Sequence, residues 1–233
     1  MKSVQLICVG YAGSVAAAFN NMLKFLNAEI VLSTVEYRGR GNRSREAEYE
    51  NNYDMETDVA EQIQKLRIPG IPYALLGYSM GSQVVYEIFA KGLLQEVPMC
   101  FFLASHEPPD VACYGKGVDI EDEDKFIKQI KRFGGIDTRL LADGRFRSII
   151  LSRLKSDYRM LKEYKFSGEY KRFPVKTVIC YSEKDIDTEV IKGWERFADK
   201  EIIFYELGDN HFFYKTETKE WCDIIRKELG IYE

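Results

Sequence analysis

The sequence has few of the residues that build metal centres and disulfide frameworks. It contains only two histidines, and its five cysteines are odd in number and include no C-x-x-C pair. A multi-histidine metal site, a thiolate zinc site and a disulfide framework are therefore not predicted. Three of the cysteines lie in apolar runs, and we expect them to be small buried hydrophobic residues.

The sequence also lacks a basic excess and a long apolar run. Its 33 Lys and Arg residues against 37 Asp and Glu give a formal charge of −4, which argues against a dedicated nucleic-acid binder. No apolar run approaches the ~20 residues of a membrane helix, and the run near the start is too short for a secretory signal. We therefore expect a cytoplasmic protein that binds neither nucleic acid nor a membrane.

Short apolar runs alternate with longer segments of helical spacing along the 233 residues. The apolar runs are Val4–Val9, Glu29–Val35, Tyr73–Leu76, Met99–Ala104, Val175–Cys180 and Ile202–Leu207. The helical segments are Ala16–Phe25, Met55–Leu66, Ser82–Phe89 and Trp221–Leu229. Continuous apolar strands separated by helices predict an α/β fold, with a mostly parallel sheet covered by helices on both faces. A chain of this length fits one domain, residues 1–233.

One region, at about 115–170, shows no strand pattern. Its two helical segments, Phe126–Phe133 and Ile149–Tyr164, predict a helical insertion between two strands of the sheet. Such an insertion can cover the sheet edge where ligands bind, so we expect a lid. Its apolar residues either pack the lid onto the body or face the substrate, and they are Phe126, Ile130, Phe133, Leu151, Leu154, Met160 and Leu161.

The segment Gly77-Tyr78-Ser79-Met80-Gly81 matches G-x-S-x-G between a predicted strand and a predicted helix. In that context the pattern indicates a nucleophile elbow, a sharp turn that exposes a serine hydroxyl at a helix N-terminus. The alternative is a glycine-rich turn in which the serine caps the helix. We expect Ser79 to be a nucleophile.

A serine hydroxyl needs a base to take its proton, and the sequence offers His106 and His211. Hydrolases with this elbow have the chain order Ser, acid, His, which His211 satisfies and which leaves His106 as a pocket or loop residue. The acid is expected after the strand Val175–Cys180, where Glu183, Asp185 and Asp187 all remain open on spacing alone.

An oxyanion hole requires two backbone N–H donors. The residue after the nucleophile, here Met80, supplies one donor. The other comes from a loop after an early strand, and Gly10–Ser14 follows the first predicted strand.

Four segments resemble the motifs of one family. They are Val9–Ser14 (F-P-Y-A-G-G), Tyr37–Arg43 (Y-P-G-R-G-x-R), Gly77–Gly81 (G-H-S-M-G, with Tyr78 in the place of histidine) and Asp209–Phe213 (G-x-H-F-F, with Asp209 in the place of glycine). These are motifs of the type II thioesterases of nonribosomal peptide and polyketide synthase pathways, which have the α/β-hydrolase fold. The similarity runs along essentially the whole chain, and the helical stretch Phe126–Tyr164 resembles the family's lid.

The resemblance implies a function and selects between residues. It implies hydrolysis of acyl thioesters on the phosphopantetheine arm of acyl- or peptidyl-carrier proteins, as proofreading for a synthase, by a monomer that needs no metal or organic cofactor. It places the acid on Asp185 and the second oxyanion donor on the N–H of Ala12. Two alternatives are an esterase or thioesterase for free small molecules such as acyl-CoA, and a non-catalytic docking module.

Four arginines, Arg38, Arg40, Arg43 and Arg45, lie in one loop after the second predicted strand. Loops that follow parallel strands gather at the ligand-binding edge of the sheet. Because carrier proteins of such pathways are commonly acidic, the resemblance makes Arg38, Arg43 and Arg45 candidate docking residues. The alternative is that these arginines are solvated or pair with the nearby acids Glu46, Glu48 and Glu50. Arg40 is expected to be buried and to hold a turn.

Overall fold

A six-stranded sheet forms the centre of the computed structural model, which describes residues 3–113, 115, 117–133 and 144–231. Its strands are β1 (Val4–Val9), β2 (Ile30–Thr34), β3 (Tyr73–Tyr78), β4 (Cys100–Ala104), β5 (Lys176–Tyr181) and β6 (Ile202–Glu206). They lie in the order β2-β1-β3-β4-β5-β6, and all five pairings are parallel. The predicted α/β architecture is confirmed, with strand ends that differ from the predicted ones by at most two residues.

Helices cover both faces of this sheet. They are α1 (Asn52–Leu66), α2 (Met80–Ala90), α3 (Glu123–Phe133), α4 (Gly144–Glu163), α5 (Thr188–Ile191), α6 (Phe213–Thr216) and α7 (Thr218–Glu228). Side chains of β1 alternate between two buried clusters: Ile7 and Val9 pack with α1 and α2, whereas Leu6 and Cys8 pack with α7. Successive side chains point to opposite faces of the sheet, and both faces are buried. Consecutive residues of the strand are therefore apolar.

The predicted helix at Ala16–Phe25 differs from expectation, because the chain forms a 3-10 helix over Ala16–Lys24. Its buried residues, Phe19 and Met22, are three positions apart and face the sheet together. A three-residue turn stacks residues i and i+3 on one face, so the 3-10 form lets both side chains reach the core.

The predicted insertion corresponds to α3 and α4, which lie between β4 and β5. Its apolar residues Phe126, Ile130, Leu151, Leu154, Met160 and Leu161 are all buried in the cluster that contains α1 and α2. They therefore pack the insertion onto the body of the protein. Residues 134–143 and the Phe133 side chain lie outside the described residues, and the lid role stays a prediction. None of the described helices combines the length and the apolar character needed to cross a bilayer.

The two halves of α4 differ in their contacts with the body. At the end of α4, the Met160 carbonyl oxygen accepts a hydrogen bond from the Asn52 side chain over 3.0 Å, and the hydroxyl of Tyr164, the residue after the helix, donates to the Glu87 carboxylate over 2.7 Å. In the first half, by contrast, Phe146 and Ile149 expose 53% and 40% of their surface. The end of α4 is thus hydrogen-bonded to α1, and the residue after it to α2, whereas the start of the helix exposes apolar side chains and packs on the body only from about Ile150 onward.

We expect amide hydrogen exchange to follow this asymmetry. Amides of residues 148–151 should exchange at least about tenfold faster than those of residues 158–161, because opening is easiest where buried contacts are fewest. Mass spectrometry or NMR exchange at neutral pH measures this, with the amides of β3 as the protected reference. Uniform protection along α4 would contradict it and would indicate a static cap.

Candidate active site

Ser79 lies at a sharp turn between β3 and α2. Its backbone has φ 52° and ψ −119°, a conformation that a residue with a side chain rarely adopts. Cβ atoms at Gly77 or Gly81 would clash with the backbone, at Gly81–Ser82 and at the Val9 carbonyl respectively. Only glycine permits this approach, and the turn places Ser79 at the N-terminus of α2, as a nucleophile elbow requires.

His211 lies within hydrogen-bond distance of Ser79. Its Nε2 is 3.0 Å from Ser79 Oγ, and its Nδ1 is 2.7 Å from Asp185 Oδ2. A carboxylate only accepts, so Nδ1 carries the hydrogen and Nε2 is left to accept the hydrogen of the serine hydroxyl. Ser79 is 7% exposed and His211 is 6% exposed, so this hydrogen-bonded chain is largely shielded from water.

The other acids of the same loop make different contacts. The Asp187 side chain accepts from the Glu189 amide over 2.8 Å and caps α5. Glu183 is exposed and accepts from the Thr188 hydroxyl over 3.2 Å. Among the three acids that spacing left open, Asp185 is the one that the fold brings to His211.

His106 follows β4 and is only 2% exposed. Its Nδ1 lies 2.6 Å from the Glu107 carbonyl oxygen, and its own carbonyl accepts from the Trp194 indole over 3.0 Å. Burial lowers the pKa of His106 from 6.5 to about 4, a shift that the hydrogen bond to the Glu107 carbonyl opposes. The ring is therefore neutral at pH 7.

The two predicted oxyanion donors lie on neighbouring segments. Met80 is the first residue of α2, where amide hydrogens have no partner within the helix. Ala12 lies in the loop after β1, which pairs with β3 in a register that sets Val9 opposite Gly77. The backbone at Val9 and Gly10 packs against Gly81, so this loop borders the turn at Ser79.

Sequence reasoning missed two hydroxyl groups behind the histidine. Tyr78 and Ser105 both donate to the His211 carbonyl oxygen, over 2.7 and 2.9 Å, and the two hydroxyl oxygens lie 3.2 Å apart. Ser105 has φ 50°, so a second residue with a side chain takes a left-handed conformation beside the site. The departure at Tyr78 from the family's histidine was the one sequence signal; Ser105 gave none.

The loop arginines are mostly paired within the protein. Arg43 binds both Asp58 oxygens over 2.7 and 2.8 Å and also pairs with Glu46, whereas Arg38 pairs with Asp54. The alternative interpretation, local pairing, therefore describes Arg43 and Arg38. Arg45 is exposed and makes no ion pair with any residue that the structure describes. Arg40 is buried and donates to the Ser14 carbonyl, as expected for an arginine that holds a turn.

The parallel sheet and the serine elbow define an α/β-hydrolase fold. In agreement, the chain superposes with a TM-score of 0.87 on ClbQ from the colibactin NRPS/PKS pathway, at 22% identity and with 98% of each chain covered. A family model described as thioesterase domain matches residues 4–229. The chain belongs to this thioesterase family, and it is accordingly a thioester hydrolase.

Two relatives illustrate the similarity. The chain is 26% identical to the gramicidin S biosynthesis protein GrsT of Aneurinibacillus migulanus, over 98% of this chain and 90% of that protein. It is 24% identical to thioesterase PikA5 of Streptomyces venezuelae, over 98% of this chain and 82% of that protein. These matches confirm the resemblance inferred from the four motifs.

Burial of neutral His106 predicts a pH-dependent stability. The unfolded chain binds a proton near pH 6.5 and the folded chain only near pH 4, so the free energy of unfolding falls as the pH drops through this window. Between pH 7 and about pH 4.5 the wild type should lose about 2 kcal/mol more than a His106→Gln variant. Urea unfolding of both proteins at the two pH values measures the difference, and equal losses would contradict it.

Proposed function

We propose that the chain is a serine thioesterase in which Ser79 is the nucleophile, His211 the base and Asp185 the residue that orients the base. The observation that carries this proposal is the continuous hydrogen-bonded chain from Ser79 Oγ through the His211 ring to the Asp185 carboxylate. This geometry has the nucleophile, base and orienting acid that covalent hydrolysis of an acyl group needs.

Acylation follows from this arrangement. Ser79 Oγ attacks the thioester carbonyl carbon while His211 Nε2 takes the hydroxyl proton, and the N–H groups of Met80 and Ala12 stabilise the oxyanion. The intermediate then collapses, the C–S bond breaks, and the departing thiolate takes the proton from His211. Asp185 stabilises the imidazolium that forms between these two steps.

Deacylation repeats the sequence with water. His211 removes a proton from a water molecule as the water oxygen attacks the acyl-serine carbonyl, and the same N–H donors hold the second oxyanion. When the C–O bond to Ser79 breaks, His211 returns the proton to the serine oxygen. The free acid leaves, and no group outside the chain is consumed except water.

We further propose that the substrates are acyl groups on the phosphopantetheine arm of acyl- or peptidyl-carrier proteins, removed as proofreading for a nonribosomal peptide or polyketide synthase. Support comes from the relatives, whose names connect them with gramicidin S biosynthesis and with the colibactin NRPS/PKS pathway. Hydrolysis of free acyl-CoA is the competing possibility. Higher kcat/KM for an acyl-carrier protein than for acyl-CoA with the same acyl group would favour the carrier, and the reverse would favour acyl-CoA.

The first test concerns the nucleophile and the base. Ser79→Ala and His211→Ala should each reduce kcat by about 10⁴-fold or more, and the double variant should be little worse, because these groups act as a unit. Hydrolysis of an N-acetylcysteamine thioester, followed by thiol release, measures this. If the wild type hydrolyses no thioester and a fluorophosphonate does not label it, the protein is instead a non-catalytic docking module.

A second test uses the neighbouring acids as controls. Asp185→Asn should lower kcat by about 10³- to 10⁴-fold, since the amide favours the wrong histidine tautomer and does not stabilise the imidazolium. Glu183→Gln and Asp187→Asn remove acids of the same loop that do not contact His211, and they should stay within about threefold of the wild type. An active Asp185→Asn protein with an inactive Asp187→Asn protein would overturn the assignment.

A third test concerns carrier docking at Arg45. Arg45→Glu should raise the KM for an acyl-carrier protein at low salt, because exposed interface charges act mainly on association. Turnover of the N-acetylcysteamine thioester should not change. Lys65→Glu makes the same change of charge at an exposed position at the end of α1, and it should leave both substrates unaffected. Equal effects of the two variants on the carrier would contradict docking at Arg45.

A further inference from the structure

A buried ion pair joins α4 to the loop that follows β2. The guanidinium of Arg40 binds both carboxylate oxygens of Asp157, over 2.7 and 2.6 Å. The two residues are 2% and 1% exposed, and they are 117 positions apart in the sequence. Removing two charges from water is costly, and further hydrogen bonds to the pair offset part of that cost.

Part of the remaining hydrogen-bonding capacity is used on the loop that carries Ala12. Asp157 Oδ2 accepts the amide hydrogen of Gly13 over 2.6 Å, and Arg40 donates to the Ser14 carbonyl oxygen over 3.2 Å. At the start of the same loop, the Tyr37 hydroxyl donates to the Gly10 carbonyl oxygen over 2.9 Å. The loop is thus held at three backbone positions by side chains from two other segments.

The Gly13 amide that donates to Asp157 belongs to the central peptide of a turn. Ser14 N–H donates to the Tyr11 carbonyl over 3.0 Å, and Gly13 has φ +82°, which together describe a type II turn with Ala12 and Gly13 at its centre. Type I and type II turns differ by a flip of the central peptide. In the flipped form the Ala12 carbonyl oxygen would face the Asp157 carboxylate, so the carboxylate selects the observed form.

Helix α4 also packs directly against this turn. A Cβ added at Gly13 would lie 2.7 Å from Leu154 Cδ2, one turn of the helix before Asp157. Any displacement of this part of α4 therefore moves the turn, and the turn contains the proposed oxyanion donor, Ala12.

We propose that Asp157 is a positioning residue for the oxyanion hole: paired with Arg40, it holds the Gly13 amide and thereby fixes the turn that presents the Ala12 N–H to the substrate. The proposal rests on the serine mechanism above. Its physical basis is that a hydrogen-bond donor contributes to the rate only when it is already aimed at the developing charge. A displacement of about 1 Å can cost 10²-fold in rate.

Two double variants isolate the acceptor from the ion pair. Arg40→Met with Asp157→Leu removes the pair and the acceptor, whereas Arg40→Met with Asp157→Asn removes the pair but keeps a carbonyl oxygen for Gly13. The leucine variant should lose about 10- to 100-fold in kcat on an N-acetylcysteamine thioester with little change in KM. The asparagine variant should recover most of that loss. Equal kcat values for the two would overturn the proposal.

An inhibitor separates positioning from general damage to the fold. An alkylboronic acid that adds to Ser79 makes a tetrahedral adduct with an oxygen in the oxyanion position. Its Ki should rise in parallel with the fall in kcat/KM across the variants, whereas a merely structural role would lower the melting temperature and leave Ki unchanged. If the leucine variant does not fold, Asp157→Glu, which keeps the charge but moves the acceptor, should show the same loss of kcat.

The outcome is distinguishable from failure of the serine mechanism. If Ser79→Ala retains activity, the serine mechanism is wrong, and the positioning role of Asp157 is wrong with it. If Ser79→Ala is inactive while Asp157→Glu and both double variants match the wild type in kcat and boronate Ki, only the positioning role is overturned.

Discussion

The backbone conformation of Ser79 is the constraint around which the site is organised. A left-handed residue with a side chain is unfavourable, and it persists only where the surroundings leave no alternative. Here β1, β3 and β4 run in register on one side, and α2 begins immediately on the other. The Ser79 amide donates to the Ala104 carbonyl over 2.7 Å, so the strained residue is also tied to the end of β4.

Buried polar groups around Ser79 are held in a similar way, each by a partner from a distant segment. Tyr78 and Ser105 hold the His211 carbonyl, Asp185 holds its ring, and Arg40 with Asp157 holds the turn at Gly13. Buried polar groups without partners would be costly, so these bonds stabilise the fold and orient the site at the same time. The site is therefore held by hydrogen bonds on three sides, an arrangement that suits the oxyanion stabilisation proposed above.

The insertion between β4 and β5 makes different contacts along its length. The second half of α4 is held to the body by Asp157 and Met160, and the following residue, Tyr164, adds a third contact. The first half carries exposed apolar residues, Phe146 and Ile149. Motion that admits an acyl chain is thus expected in the first half of α4, while the second half keeps the turn at Gly13 in place.

The fold could be predicted from local patterns. Apolar runs of strand length and apolar residues at helical spacing each depend on residues that are close together in the sequence. Val4–Val9 was predicted to the residue, and the parallel direction of the strands followed from their alternation with helices. The turn at Ser79 could also be predicted, since its two glycines and its serine lie within five consecutive residues. The choice of His211 rested on chain order, and the choice of Asp185 on resemblance to a family.

Only the tertiary structure decided which distant side chains meet. Glu183, Asp185 and Asp187 are equivalent on spacing, and they are separated by where the loop after β5 points each carboxylate. The predicted docking arginines also differ in their surroundings. Arg43 binds Asp58 of α1, whereas Arg45 is exposed. Asp157 reads in the sequence as one more polar residue of an amphipathic helix. Its partners, Arg40 and Gly13, are more than a hundred positions away, and no local pattern encodes contacts at that separation.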